Sequence, residues 1–92
     1  MEKQFTIMVV EDDTNINNLL QTALEKAGYK VLQAFSGTEA ELILQMRNSI
    51  ALVLVDLMLP GISGDEVLKH IRERGNLPVI VLTARDRLDE KI

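Results

Sequence analysis

The chain has 92 residues, 47% of them apolar and 26% charged, with a net charge of −4 and no cysteine. Such a chain forms one small globular domain, burying roughly two-thirds of its unfolded surface. Disulfides, thiolate metal sites and cysteine nucleophiles are excluded, and the net negative charge argues against a general affinity for nucleic-acid phosphates. No apolar run approaches the roughly 20 residues needed to span a bilayer. The opening MEKQFTIMVVEDD meets acids too early for a secretory signal, so a cytoplasmic location is expected.

In chain order, Phe5–Val10 (FTIMVV) reads as a first strand that ends at Glu11-Asp12-Asp13. Ile16, Leu19, Leu20, Ala23, Leu24 and Ala27 then recur at helical spacing, with Gly28 placed to end the helix. YKVLQA is a short second strand. SGTE, Ser36–Glu39, has capping-box spacing and opens a helix expected to turn Ala40, Ile43 and Leu44 inward. ALVLV, Ala51–Val55, is the third strand, its continuous apolar run implying burial on both faces. SGDE, Ser63–Glu66, repeats the capping spacing before a helix carrying Val67, Leu68 and Ile71 and closed by Gly75. PVIVLT, Pro78–Thr83, is the fourth strand, and DRLDEKI reads as the first turns of a further helix.

Strands alternating with helices of 10 to 15 residues imply right-handed crossovers and a doubly wound, mainly parallel α/β sheet. Such a sheet has its functional crevice at the carboxyl ends of its strands. Glu11, Asp12 and Asp13 follow the first strand, Asp56 follows the third, and Thr83 ends the fourth. The conspicuous polar residues therefore converge on one edge.

Carboxylates within about 4–5 Å of one another repel by roughly 3–4 kcal/mol per pair at an effective dielectric near 20. A divalent cation relieves that repulsion, and a small set of oxygen ligands completed by water suits Mg²⁺. A carboxylate beside Mg²⁺ can accept a phosphoryl group. On this reading Asp56 is the nucleophile, Asp12 with Glu11 holds the metal, and the Thr83 hydroxyl donates to a phosphoryl oxygen. Each acid taken alone has a plainer explanation. Asp13 or Thr14 caps the following helix, Asp12 could do the same, and Asp56 precedes a Pro-Gly turn. Their convergence with Thr83 favours a shared site. His70, the only histidine, reads as a solvated helix residue, and RDRLDEK as a solvated helix face.

Competing motifs fail on detail. DDTNINN begins like a calcium loop, but its sixth position from Asp13 is Asn18 rather than Gly and its twelfth is Leu24 rather than Glu. Neither glycine-rich nucleotide motif is present. An Asp-x-Asp phosphatase needs a second acid at position 58, which is Met.

VVEDD, LVLVDLMLPGISG and VIVLTA, in this order and at these distances, resemble the receiver domain of bacterial two-component response regulators across the whole chain. The resemblance implies a flavodoxin-like (CheY-like) fold with strand order 2-1-3-4-5, and Asp56 as the residue phosphorylated by a sensor histidine kinase in the presence of Mg²⁺. It further implies Glu11 and Asp12 as the acidic pair with Asp12 the direct ligand, and the Met58 backbone carbonyl as another ligand. Thr83 becomes the switch hydroxyl and Ala84 the small residue beside the phosphoryl group, while Pro60 and Gly64 shape the loop. Such a domain is a switch that gains and loses a phosphoryl group, not a turnover enzyme. VLTARD looks most like receivers joined to winged-helix (OmpR/PhoB-like) DNA-binding domains.

Receivers are longer than this chain. A sheet incomplete after the fourth strand is therefore expected, without the fifth strand and its lysine or the fifth helix. Lys91 lies too close to Thr83 to replace that lysine. Impaired switching and self-association through a bare apolar fourth strand are the expected consequences. The alternative reading is a receiver-like interaction module that is never phosphorylated and assembles through that edge.

Overall fold

The computed structural model describes residues 4–46, 49–59 and 62–82. They alternate strand and helix: β1 (Thr6–Val10), α1 (Thr14–Lys26), β2 (Lys30–Ala34), α2 (Gly37–Met46), β3 (Ile50–Val55), α3 (Gly64–Arg74) and β4 (Val79–Val81). The strands pair in parallel in the order β2-β1-β3-β4. This agrees with the doubly wound, flavodoxin-like order as far as the described strands extend. The chain enters at β1 and winds outward in both directions, so the topological switch lies between β1 and β3.

Period-2 alternation along β1 and β3 builds two different faces. Met8, Val10, Val53 and Val55 point to one side and meet Ala40 and Leu44 of α2 and Val67 and Ile71 of α3 in the larger core. Ile7, Val9 and Leu54 point to the other side, where Leu20 and Leu24 of α1 half-cover them. Two helices serve the first face and one the second, among the described residues.

That asymmetry revises one expectation and agrees with another. Of the six apolar positions that recur at helical spacing in the first helix, Ile16, Leu20 and Leu24 are half-buried, whereas Leu19, Ala23 and Ala27 are exposed. A single helix presents only a narrow stripe to a sheet, and the flanks of that stripe stay in water. β4 covers Val79–Val81 within the expected Pro78–Thr83, and it is bare among the described residues, as expected of a sheet that stops at this strand. Ile80 and Val81 are 52% and 43% exposed at the rim of the described sheet. Thr83 and the expected helix at DRLDEKI lie outside the described residues.

The helix starts follow the sequence closely. Ser36 Oγ accepts from the Glu39 N–H at 3.0 Å, and Ser63 Oγ from the Glu66 N–H at 3.2 Å. The Glu39 carboxylate reaches back to the Phe35 N–H rather than to Ser36 itself, a capping box shifted outward by one residue. α1 is capped at its C-terminus by Ala27, and the next residue, Gly28, has φ +101°, a left-handed conformation that glycine adopts without a Cβ penalty.

Candidate functional site

The parallel register sets Val10 of β1 opposite Val55 of β3. The ladder continues past both strand ends: the Asp56 N–H donates to the Val10 carbonyl at 2.9 Å and the Glu11 N–H to the Ala34 carbonyl at 3.0 Å. The first residue beyond each of these central strands is thus held by its neighbour's backbone. Glu11 and Asp56 become adjacent for that reason. Asp56 is fully buried and Glu11 nearly so, while Asp12 is exposed at the mouth. One carboxylate oxygen from each of the three lies within 4.8 Å of the others.

Asp56 therefore sits one residue beyond the buried strand and is itself buried. Its Oδ1 accepts from the Met58 N–H at 2.9 Å, which fixes the carboxylate against the loop that follows. Glu11 Oε2 accepts from the Asp13 N–H at 3.0 Å. Burial pushes the Glu11 carboxyl up to about 7, and the neighbouring Asp56 and Asp12 add to the rise against the lowering effect of the Asp13 amide. The rise reflects burial first and the neighbouring acids second, so the pocket disfavours a bare carboxylate at Glu11. An all-oxygen donor set with one solvent-facing member fits a hard divalent cation with part of its water shell retained.

Asp13 belongs to a different task. Its Oδ1 accepts from the Ile16 N–H at 3.0 Å and caps α1, leaving Glu11 and Asp12 to the pocket. Met58 enters the site through its N–H, with its side chain exposed. Thr83, Ala84, Pro60 and Lys91 lie outside the described residues. The Gly64 N–H donates to the Leu57 carbonyl at 3.3 Å. A Cβ at Gly64 would collide with Leu57 Cα and stand 2.6 Å from the Asp56 carbonyl oxygen, so α3 starts directly against the backbone that carries Asp56.

Two residues differ from their sequence reading. His70 is not simply solvated: its Nδ1 bonds Glu41 Oε2 of α2 and its side chain is only partly exposed. Asn17 was given no role, yet it is the fully buried residue of α1. A signal was available. Asn17 lies three and seven residues before Leu20 and Leu24, which places an amide on the helix's apolar stripe.

The fold and this edge define a doubly wound α/β domain with a triad of acids at the switch point of its sheet. Residues 7–92 match the response regulator receiver domain family, and the chain belongs to it. It is 48% identical over 88 residues to the uncharacterized transcriptional regulatory protein YrkP of Bacillus subtilis, covering 95% of this chain and 37% of that protein. The transcriptional regulatory protein CpxR homolog of Haemophilus influenzae is 43% identical over 79 residues, which is 86% of this chain and 34% of the relative. The chain thus spans little more than a third of these curated relatives. Among solved structures, a response regulator receiver domain protein from Clostridium thermocellum superposes with a TM-score of 0.81 at 32% identity, covering 94% of this chain and 70% of that one. No helix among the described residues is long and apolar enough to cross a membrane.

Proposed function

We propose that this receiver domain takes a phosphoryl group on Asp56 from a sensor histidine kinase and works as a cytoplasmic signalling switch, not a turnover enzyme. The observation that carries the reading is the meeting of Glu11, Asp12 and Asp56 within 4.8 Å in a chain of the receiver family.

Asp12, Asp56 and Glu11, with the Met58 main-chain carbonyl, would hold Mg²⁺. When bound, the ion offsets the pocket's negative charge and that of the phosphoryl oxygens in transit. Asp56 supplies the nucleophile. One of its carboxylate oxygens forms the new bond to phosphorus while the phosphorus–nitrogen bond of the donor phosphohistidine breaks, its electron pair leaving with the imidazole. The Met58 N–H keeps the carboxylate oriented for that in-line approach. Thr83 is assigned the hydroxyl that meets a phosphoryl oxygen, and Ala84 leaves room beside it. Transcriptional regulatory relatives support a whole protein that binds DNA through a further domain.

Intact mass after treatment with acetyl phosphate and Mg²⁺ tests the reading. A single phosphoryl adduct that requires Mg²⁺ and disappears in Asp56→Asn is expected. An adduct that persists in Asp56→Asn, or none in the parent protein, overturns it.

One observation favours a second reading. Ile80 and Val81 are exposed on β4, and an apolar groove of about 550 Å³ on the α1 side, lined by Phe5, Leu24, Tyr29, Leu52 and Ile80, runs beside them. A bare apolar strand edge pairs readily with another chain. We infer self-association of this chain there, which also serves a module that is never phosphorylated. Light scattering is expected to show a dimer or larger species that Ile80→Lys disperses. A monomer at micromolar concentration rejects it.

A further inference from the structure

Glu11, Asn17 and Asp56 are the fully or nearly fully buried polar residues among the described positions, and only Asn17 lacks a part in the site so far. Its amide is fully engaged. Nδ2 donates to the Glu11 carbonyl at 2.9 Å and to the Ala34 carbonyl at 3.1 Å, while Oδ1 accepts from Gln33 Nε2 at 2.9 Å. Gln33 Nε2 also donates to Asn18 Oδ1 at 2.8 Å. The Ala34 carbonyl that Asn17 shares is the one already receiving the Glu11 N–H. Asn17 therefore joins α1, the end of β2 and the peptide that links Glu11 to Asp12.

We propose that Asn17 is a positioning residue for the acid pocket, with Gln33 as the group that orients it. The inference rests on the Mg²⁺ reading above. Apolar packing alone would put a Leu here, in line with Leu20 and Leu24, and a buried amide is retained at a desolvation cost that its hydrogen bonds must offset. The peptide it holds carries both side chains that crowd Asp56. Mutual repulsion of those acids pushes against the segment when no cation offsets it. Pinning the Glu11 carbonyl resists that movement and keeps the ligands close together before the ion arrives, which raises affinity by lowering the cost of ordering on binding.

Mg²⁺ titration by calorimetry, with melting temperature and circular dichroism recorded on the same metal-free samples, tests the assignment. Asn17→Ala is expected to weaken Mg²⁺ binding by about 10-fold or more, in the range of residues that support metal ligands. Gln33→Leu is expected to weaken it less. Leu24→Ala, which loosens the same helix without touching the peptide, is expected to lower the melting temperature and leave Mg²⁺ affinity unchanged. Unchanged affinity in folded Asn17→Ala, or an equal loss in Leu24→Ala, overturns the assignment. Should Asn17→Ala not fold, Gln33→Leu decides: weaker binding supports the role, and unaltered binding overturns it. If the parent protein shows no Mg²⁺ binding beyond that of Asp12→Asn, the metal reading itself fails and the positioning role falls with it.

Discussion

The Nδ1 of His70 on α3 meets the Oε2 of Glu41 on α2, joining two helices that pack on the same face of the sheet. The hydrogen bond to Glu41 raises the His70 pKa above 6.5, and the charges of Glu41, Glu66 and Glu73 act in the same direction against desolvation. The folded state thus favours the imidazolium. Its contribution to stability is fully present below pH 6.5 and is lost as the pH rises through the raised value. An NMR titration of the His70 ring is expected to give a midpoint above 6.5 that falls back in Glu41→Gln. A parent midpoint at or below the ordinary value contradicts this.

Glu11 gives the opposite lesson about cost. Its carboxyl is raised from 4.5 to about 7, so the folded state binds the proton more tightly than the unfolded chain does. Metal-free stability is therefore expected to fall between pH 4.5 and 7, by about 3 kcal/mol if the full shift is expressed. Urea unfolding in EDTA is expected to show this decline, and Glu11→Gln is expected to flatten it. Mg²⁺ competes with that proton, so affinity is expected to strengthen as the pH rises towards 7, and the advantage of the parent protein over Glu11→Gln is expected to shrink as the pH falls below that value.

Asp13 separates capping from metal binding. Removing its side chain in Asp13→Ala loses the bond to the Ile16 N–H and is expected to cost about 1 kcal/mol of stability. Mg²⁺ affinity is expected to change little, because the Asp13 amide that serves Glu11 belongs to the backbone. A large loss of Mg²⁺ binding would make Asp13 a ligand after all.

Gly64→Ala inserts a methyl group against Leu57 and the Asp56 carbonyl. Overpacking of this kind is expected to cost about 1–3 kcal/mol. The chain carrying Asp56 has to shift to make room, so phosphoryl labelling is expected to drop further than in a surface variant of equal stability, such as one lacking the Ser63 cap.

Much of this arrangement was legible in the primary structure because local and global signals agree. VVEDD and LVLVD each end an apolar run on an acid, and a parallel sheet turns that shared feature into adjacency. Ser36 and Ser63 announce their helices through hydrogen bonds that need only three residues of chain. Other features depend on what packs against what. Leu19 and Ile80 are apolar at the right spacing, yet no described element covers them, and periodicity carries no count of the layers above a face. Asn17 and His70 took on their roles through partners distant in sequence, Ala34 and Gln33 for one and Glu41 for the other. Such pairings exist only once the helices are docked.

Gly37, the first residue of α2, lies so close to Ile62 that a Cβ there would strike the Ile62 carbonyl. Main chain rests on main chain, with the Ile62 Cβ beside the contact. Ile62, six residues downstream of Asp56, is therefore in direct backbone contact with the start of α2. The far part of that helix is roped to α3 by Arg74 on the Leu44 carbonyl and by His70 on Glu41. The start of α2 thus abuts the segment that follows Asp56, at a position with room for a hydrogen atom and nothing larger, while its body is tied to α3.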